Sequence, residues 1–414
     1  MMVYDSYQNS NIHWYGDTPT HWKTAKGKFL FKSQKDLNGE LQCKDRLSLT
    51  MSGVIEKDIE NNSGLNPSDF ITYQIFEQDN LVFKLIDLDN KKTSRVGYVH
   101  KKGIMSSAYI RLIKNNNSVN MRYFYYQYYD LYLKYVYNYL GSGVRSTLTS
   151  NDLLDIELII PPLEEQNKIV AYIDKKSTQI ENFIQKKTRF ISLLKEEKEA
   201  VINEAITKGI DKTIEFKDSG IKWLGDIPKH WEVRKLKFVA KNKTDKKLES
   251  NFKIGLENIE SKTSKFIESE EVVFAEAGIE FKRGDILFGK LRPYLAKIYL
   301  TEKDGICVSE FLVLRCFEIT NQYLKYLMIS SKFIDIVNGS TYGSKMPRAN
   351  WEFIGNTKIP LPLYEEQKQI VEYIETKLNQ IDKIIDKTTK QIDFIKEYKT
   401  SLINESVSGK IKVS

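Results

Sequence analysis

The thirteen residues PPLEEQNKIVAYI, from Pro161 to Ile173, return about 200 residues later as PLYEEQKQIVEYI, from Pro362 to Ile374. Each copy reads as a helix start. Prolines close an extended segment, and a pair of glutamates then falls in the first helical turn, where the helix dipole favours negative charge. Apolar residues follow at alternating spacings of three and four. In the first copy they are Ile173, Ile180, Ile184, Ile191, Leu194 and Val201; in the second, Ile374, Leu378, Ile381, Ile385, Ile392, Ile395 and Leu402. Such a stripe is a coiled-coil seam and not the broader face that packs on a globular core. At 1.5 Å per residue, a helix over about 164–206 would be roughly 60 Å long. Lys198 and Lys399 interrupt the stripe at matching positions. Their stems can pack while their heads reach water, or the pair can help fix register.

A second phrase opens each half: WYGDTPTHW at Trp14–Trp22 and WLGDIPKHW at Trp223–Trp231. The order is tryptophan motif, variable region, helix, and then the same again, so the chain is a duplicated half. Two equal helices related by duplication pair best antiparallel, with a variable region at each end of one rod. The expected class is α+β: two mixed α/β domains joined by two long helices that form an antiparallel coiled coil, with an internal pseudo-twofold repeat. The corresponding segments are 1–160, 161–212, 213–360 and 361–414.

Within the variable regions, short apolar alternations are punctuated by Gly, Asn, Asp and Ser, as in mixed domains. DNLVFKL (Asp79–Leu85) parallels DILFGKL (Asp285–Leu291), and GIMSSAYIRL (Gly103–Leu112) parallels GICVSEFLVL (Gly305–Leu314). Basic residues gather near the turns: Lys84, Arg95, Lys101, Lys102 and Arg145 in the first region, Lys290, Arg292, Lys345 and Arg348 in the second. As solvated surface charges they need no partner; as matched sets beside glycine-containing loops they are candidates for phosphate and base contacts. The tyrosines from Tyr123 to Tyr139 could stack on bases, but their spacing fits a packed helix better.

Composition excludes several classes. A chain of 414 residues with 41% apolar and 29% charged residues is globular and multidomain. No apolar run is long enough to span a membrane, Met1–Ser10 is no signal peptide, and three cysteines suit a reducing cytoplasm. Four scattered histidines provide no metal-ligand spacing. The net charge of +8 is compatible with a polyanion. GDILFGKL at Gly284–Leu291 is not a phosphate loop: Leu291 stands where Ser or Thr should hold magnesium, and Pro293 follows. Glu196–Lys198 and Glu397–Lys399 end like a nuclease metal motif but lie inside the helices. No Asn/Asp-Pro-Pro-aromatic tetrapeptide is present, and no dinucleotide-type Gly-x-Gly loop follows a strand. The chain is therefore expected to have no catalytic site.

The twin Pro-Glu-Glu-Gln helices, the Gly-Asp-x-Pro-x-His-Trp openings at Gly16–Trp22 and Gly225–Trp231, and the Gly284–Pro293 strand, taken in this order, resemble the specificity subunits of type I restriction–modification systems along essentially the whole chain. The resemblance implies two target recognition domains that read the halves of a bipartite, asymmetric site in double-stranded DNA. It implies helices that serve as spacer and docking surface for two modification (methyltransferase) subunits, with restriction/translocase subunits added. S-adenosylmethionine, ATP and Mg would belong to those partners and none to this chain. The competing class is a self-sufficient DNA methyltransferase or restriction enzyme carrying its own recognition domains; a coiled-coil adaptor without nucleic acid would leave the two diverged basic domains unexplained.

Overall fold

The computed structural model describes residues 3–39, 41–57, 70–89, 93–141, 146–268, 277–341 and 346–413. It divides into two compact units, Met1–Lys186 with Gln391–Ser414, and Lys187–Lys390. Each unit thus combines one variable region, the start of the helix that follows it and the end of the other helix.

The long helices are Leu163–Lys208 and Tyr364–Val407. Each follows a short strand, Glu157–Ile160 or Lys358–Leu361, and each carries two glutamates in its first turn. Both end at a glycine in the left-handed region, Gly209 (φ +73°) and Gly409 (φ +75°). At Gly409 a Cβ would stand 2.4 Å from Pro19 Cδ, so space as well as φ requires glycine there; at Gly209 it would stand 3.2 Å from the Trp231 ring, and φ is what favours glycine.

In the first unit Glu181 meets Lys399 at 2.8 Å, while Ile169 and Ile173, earlier in the first helix, share a core with Leu402, Ile403 and Val407. Moving back along one helix means moving forward along the other: the segments are antiparallel. The second unit repeats this, with Lys198 on Asp382 at 2.7 Å and Ala205 and Ile206 packed with Ile370, Val371 and Ile374. Both seam lysines therefore end on a carboxylate of the facing segment. Of the stripe residues, Ile173, Ile180, Leu194, Ile374, Ile381, Ile392 and Leu402 are buried, and Ile184, Ile191, Val201, Leu378, Ile385 and Ile395 are half-buried.

Each head is built on a four-stranded antiparallel sheet. In the first the order is Phe31–Ser33, Ile110–Lys114, Leu81–Phe83, Val96–Tyr98; in the second it is Ala240–Lys243, Phe311–Cys316, Ile286–Gly289, Ile298–Leu300. The strands Leu81–Phe83 and Ile286–Phe288 are wholly buried because successive side chains enter different cores. Leu81, Phe83, Ile286 and Phe288 pack with the helices, whereas Val82 and Leu287 pack with a second, outer sheet. The tyrosines of helix Met121–Leu133 are mainly core: Tyr123, Tyr126 and Tyr128 are buried, and Tyr125 and Tyr129 are half-buried.

Candidate nucleic-acid interface

The two repeated phrases meet in space. The second glutamate of each pair accepts hydrogen bonds from the His-Trp dipeptide of its own half. Glu165 takes Trp22 Nε1 at 2.9 Å, lies 2.6 Å from His21 Nε2, and accepts the Tyr4 hydroxyl at 3.1 Å. Glu366 takes Trp231 Nε1 at 2.9 Å and lies 2.8 Å from His230 Nε2. Burial, followed by the charge of Glu165, raises the Tyr4 pKa far above that of an ordinary phenol. The next residue is as specific. The buried Gln166 and Gln367 side chains accept the backbone N–H of Asn120 (2.9 Å) and Thr320 (2.8 Å) and donate to Pro161 O and Pro362 O. Asn120 and Thr320 in turn cap the helices Met121–Leu133 and Asn321–Ile329. From those helices Tyr123 and Tyr323 donate to the carbonyls of Val407 and Ile206 at the end of the other long helix. Every head is thus fixed to one helix start and one helix end. These residues were absent from the candidate set; the signal for them was that the two repeated phrases always come together.

The basic candidates separate into several kinds. Lys290, Arg292 and Arg348 converge. Leu291 bridges to Arg348, Arg292 N–H donates to Pro347 O at 2.8 Å, and Ala349 N–H donates to Lys290 O at 3.0 Å. Arg348 forms a forked pair with Glu310 (3.1 and 3.2 Å), whereas Arg292 is exposed at a left-handed corner (φ 51°) beside the exposed Tyr294. In the first head, Lys101 reaches Glu56 at 2.8 Å and Lys102 reaches Glu77 at 2.8 Å, contacts that raise the pKa of both ammonium groups. Lys84 is half-buried. Arg95 does not fit the candidate role: it is 2% exposed, and its guanidinium donates to the carbonyls of Ile86 and Asp87, holding that loop from beneath. Arg145 and Lys345 lie outside the described residues.

The sequence match between Asp79–Leu85 and Asp285–Leu291 is off by one. Asp79 (φ 67°) occupies the left-handed position of Gly284 (φ 88°), and each donates its N–H across the turn, to Val99 O (2.9 Å) and Thr301 O (2.8 Å). Asn80 is the counterpart of Asp285: their side chains accept the N–H of Glu77 and Lys282 at 2.9 and 2.8 Å. The two turns are the same, and Lys84 is the counterpart of Gly289, with Leu85 matching Lys290: Leu148 N–H donates to Leu85 O as Ala349 N–H does to Lys290 O. Backbone conformation, not the shared Asp, sets the register.

Among the described residues no cluster of three or more His, Cys, Asp or Glu side chains is placed to hold a metal, and no helix is long and apolar enough to cross a membrane.

The family model for the type I restriction modification DNA specificity domain matches the chain twice, over residues 23–189 and 228–393. The chain is 28% identical over 340 residues to the type I restriction enzyme MjaVIII specificity subunit of Methanocaldococcus jannaschii, covering 76% of each. It is 22% identical over 286 residues to the EcoDI specificity subunit of Escherichia coli, covering 64% of each. Its fold matches a solved chain from work on complex assembly and conformational transition of the type I R-M system, with a TM-score of 0.68 over 95% of this chain and 99% of that one, at 13% identity.

Proposed function

Because the chain belongs to the family of type I restriction modification DNA specificity domains and is a specificity subunit of such a system, we propose that its two heads read the two halves of a bipartite, asymmetric site in double-stranded DNA. The observation that carries this reading is one framework built twice with different residues at matching corners: Arg292 stands at the left-handed corner where the first head has Asp87, and the Lys102–Glu77 pair of the first head is reversed as Asp304–Lys282 in the second. Phosphate contacts position such a surface and base-edge contacts give it sequence preference. The helices dock two modification subunits, and restriction/translocase subunits join that assembly. S-adenosylmethionine, ATP and Mg act on those partners, and this chain performs no chemistry itself.

Methylome sequencing of cells carrying this chain with its modification subunit should give one motif of two specified half-sites separated by an unread spacer. A continuous or palindromic motif would refute two independent readers. The chain purified alone should neither methylate nor cleave DNA nor hydrolyse ATP; reproducible turnover in any of these assays would favour the self-sufficient enzyme.

A further inference from the structure

Two segments outside every motif discussed so far carry the same surface. They are Lys26-Gly27-Lys28-Phe29-Leu30-Phe31-Lys32 in the first head and Lys235-Leu236-Lys237-Phe238-Val239-Ala240-Lys241 in the second. Both read Lys-x-Lys-Phe-x-x-Lys, and the backbone makes them true counterparts. Gly27 and Leu236 donate their N–H groups to Ile156 O and Thr357 O, and Leu30 and Val239 close a one-turn 3-10 helix on Gly27 O and Leu236 O. The chain then enters the edge strand of the head's main sheet. The inward residues are core: Leu30, Phe31, Leu236, Val239 and Ala240 are all buried. The outward ones are not. Phe29 is 65% and Phe238 57% exposed, Lys28, Lys32, Lys237 and Lys241 are exposed, and Lys26 and Lys235 are half-buried. Each phenylalanine carries the ammonium of the preceding lysine near its ring, at 5.9 and 5.5 Å.

Packing does not require this surface, yet both heads keep it while residues elsewhere on them have diverged. A feature kept by two readers of different sequences serves something both meet. The two half-sites differ in bases but share one sugar-phosphate backbone. Three cations within seven residues suit a polyanion, and lysine is depleted where proteins bury surface against other proteins. The exposed ring adds an apolar face for a sugar or base edge. We propose that this Lys-x-Lys-Phe-x-x-Lys stripe is a sequence-independent contact of each head with the DNA backbone, an assignment that rests on the reading that both heads engage DNA.

The stripes differ in strength. In the first head Asp155 lies 3.4 Å from Lys26 and 3.1 Å from Lys28, and Glu157 faces Lys26 across the strand pair. In the second head the corresponding residues are Asn356 and Lys358. There Lys235, Lys237, Lys241 and Lys358 have no ion-pair partner among the described residues. The second stripe should therefore contribute more to binding.

The test uses the complex with its modification subunits, a duplex carrying the motif defined by methylome sequencing, and a scrambled duplex. The variants are Lys235→Gln/Lys237→Gln/Lys241→Gln, Lys26→Gln/Lys28→Gln/Lys32→Gln, and Phe29→Ala/Phe238→Ala. At about 0.9 per phosphate contact, the second-head triple should flatten the slope of log K against log salt by about 2.7. It should weaken both duplexes by the same factor and leave the methylated motif and the subunit composition unchanged. The first-head triple should do the same to a smaller degree, and the phenylalanine pair should weaken binding without changing the slope. Unchanged affinity and slope in both triples would overturn the proposal. So would loss of a modification subunit with an unchanged slope, which would make the stripe a protein-docking surface. A parent complex that binds both duplexes equally would overturn sequence reading alone, because the variants' slopes still report on the stripe.

Discussion

The outer sheets of the two heads share three strands and differ in the fourth. In the first head Gly103–Met105 lies between Arg46–Thr50, its parallel neighbour, and Gln74–Phe76; in the second, Gly305–Cys307 lies between Lys253–Ile254 and Gly278–Phe281. The first head adds Gly53–Lys57 beside the parallel neighbour, while the opposite edge, a strand pair of Lys246–Lys247 with Gly278–Phe281 in the second head, is reduced to the bridge of Leu37 to Gln74 in the first. By contrast, the glutamate clamp, the glutamine cap and the tyrosine bond to the helix end are the same in both. Change has concentrated in the outer sheets, whose described core residues form clusters separate from those of the helices, and the mount has stayed constant. A duplicated reader can alter what it recognises this way without altering how the reading surface is held.

The largest effect should come from breaking the comparison outright. Replacing 23–158 with the same region of another specificity subunit should change one half-site of the methylated motif and leave the other intact, because the mount is generic. A chimera in which both half-sites changed would mean that the heads are not independent. The spacer tests the helices instead. Four residues added near Glu204–Gly209 lengthen a helix by roughly 6 Å and rotate its end by about 40° beyond a full turn. The unread spacer should then grow by one or two base pairs, with both half-sites retained. An active complex with the parental spacer would show that the helices do not set the distance.

A smaller difference lies at the twin turns. Asp285, 3% exposed at its side chain, takes a forked pair of bonds from Arg315 at 2.7 and 2.8 Å, whereas in the first head Asn80 takes Arg111 Nε at 2.6 Å and the nearest carboxylate to that guanidinium, Asp36, stands 3.7 Å away. Hydrogen bonds to charged groups contribute about 1.5–3 kcal/mol. Asp285→Asn should therefore destabilise by about that amount in urea unfolding. Asn80→Asp should stabilise by about 1 kcal/mol, since a carboxylate there can meet the Arg111 guanidinium as Asp285 meets Arg315. If Asn80→Asp destabilised instead, Asp36 would already balance the guanidinium.

Much of the frame was legible in the sequence because periodicity reports it directly, although the stripe is more than a seam: Ile173 and Ile374 also enter the cores of the two heads. The heads were less legible. The shared Asp of DNLVFKL and DILFGKL suggested a register that the backbone contradicts, since a left-handed turn accepts either Asp79 or Gly284 and letters do not record φ. Proximity to a turn marked Arg95 as a surface cation, but whether a side chain points outward or beneath a loop depends on tertiary contacts. The Lys-x-Lys-Phe-x-x-Lys stripes were written plainly, yet only the edge-strand register reveals that they are counterparts.

The tyrosine bonds give a finer test of equivalence. Tyr323→Phe removes one bond, to Ile206 O, and should cost about 1 kcal/mol. Tyr123→Phe removes the bond to Val407 O and also the acceptor of Gln127 Nε2 at 3.0 Å, so it should cost up to about 2 kcal/mol. Equal losses in urea unfolding would show that Gln127 finds another acceptor.

The smallest expected effect isolates one carboxylate. Asp155 is held below the usual carboxylate range by its hydrogen bond with Lys28 and by the charge of Lys26, so it stays ionised at neutral pH and opposes a phosphate approaching either lysine. Its counterpart Asn356 carries no charge. Asp155→Asn should make the first stripe behave like the second, raising affinity for cognate and scrambled duplex alike by a few-fold and steepening the salt slope by about one. Asn356→Asp should do the reverse in the second head, drawing Lys235 and Lys237 onto the new carboxylate. Urea unfolding of both variants accompanies the binding assay, because Asn356→Asp also breaks the bond from Asn356 Nδ2 to Glu352 O at 2.9 Å. Opposite shifts of similar size would mean that a single carboxylate accounts for most of the difference between the stripes. A shift only in the second head would mean that Glu157, opposite Lys26, keeps the first stripe neutralised after Asp155 is gone.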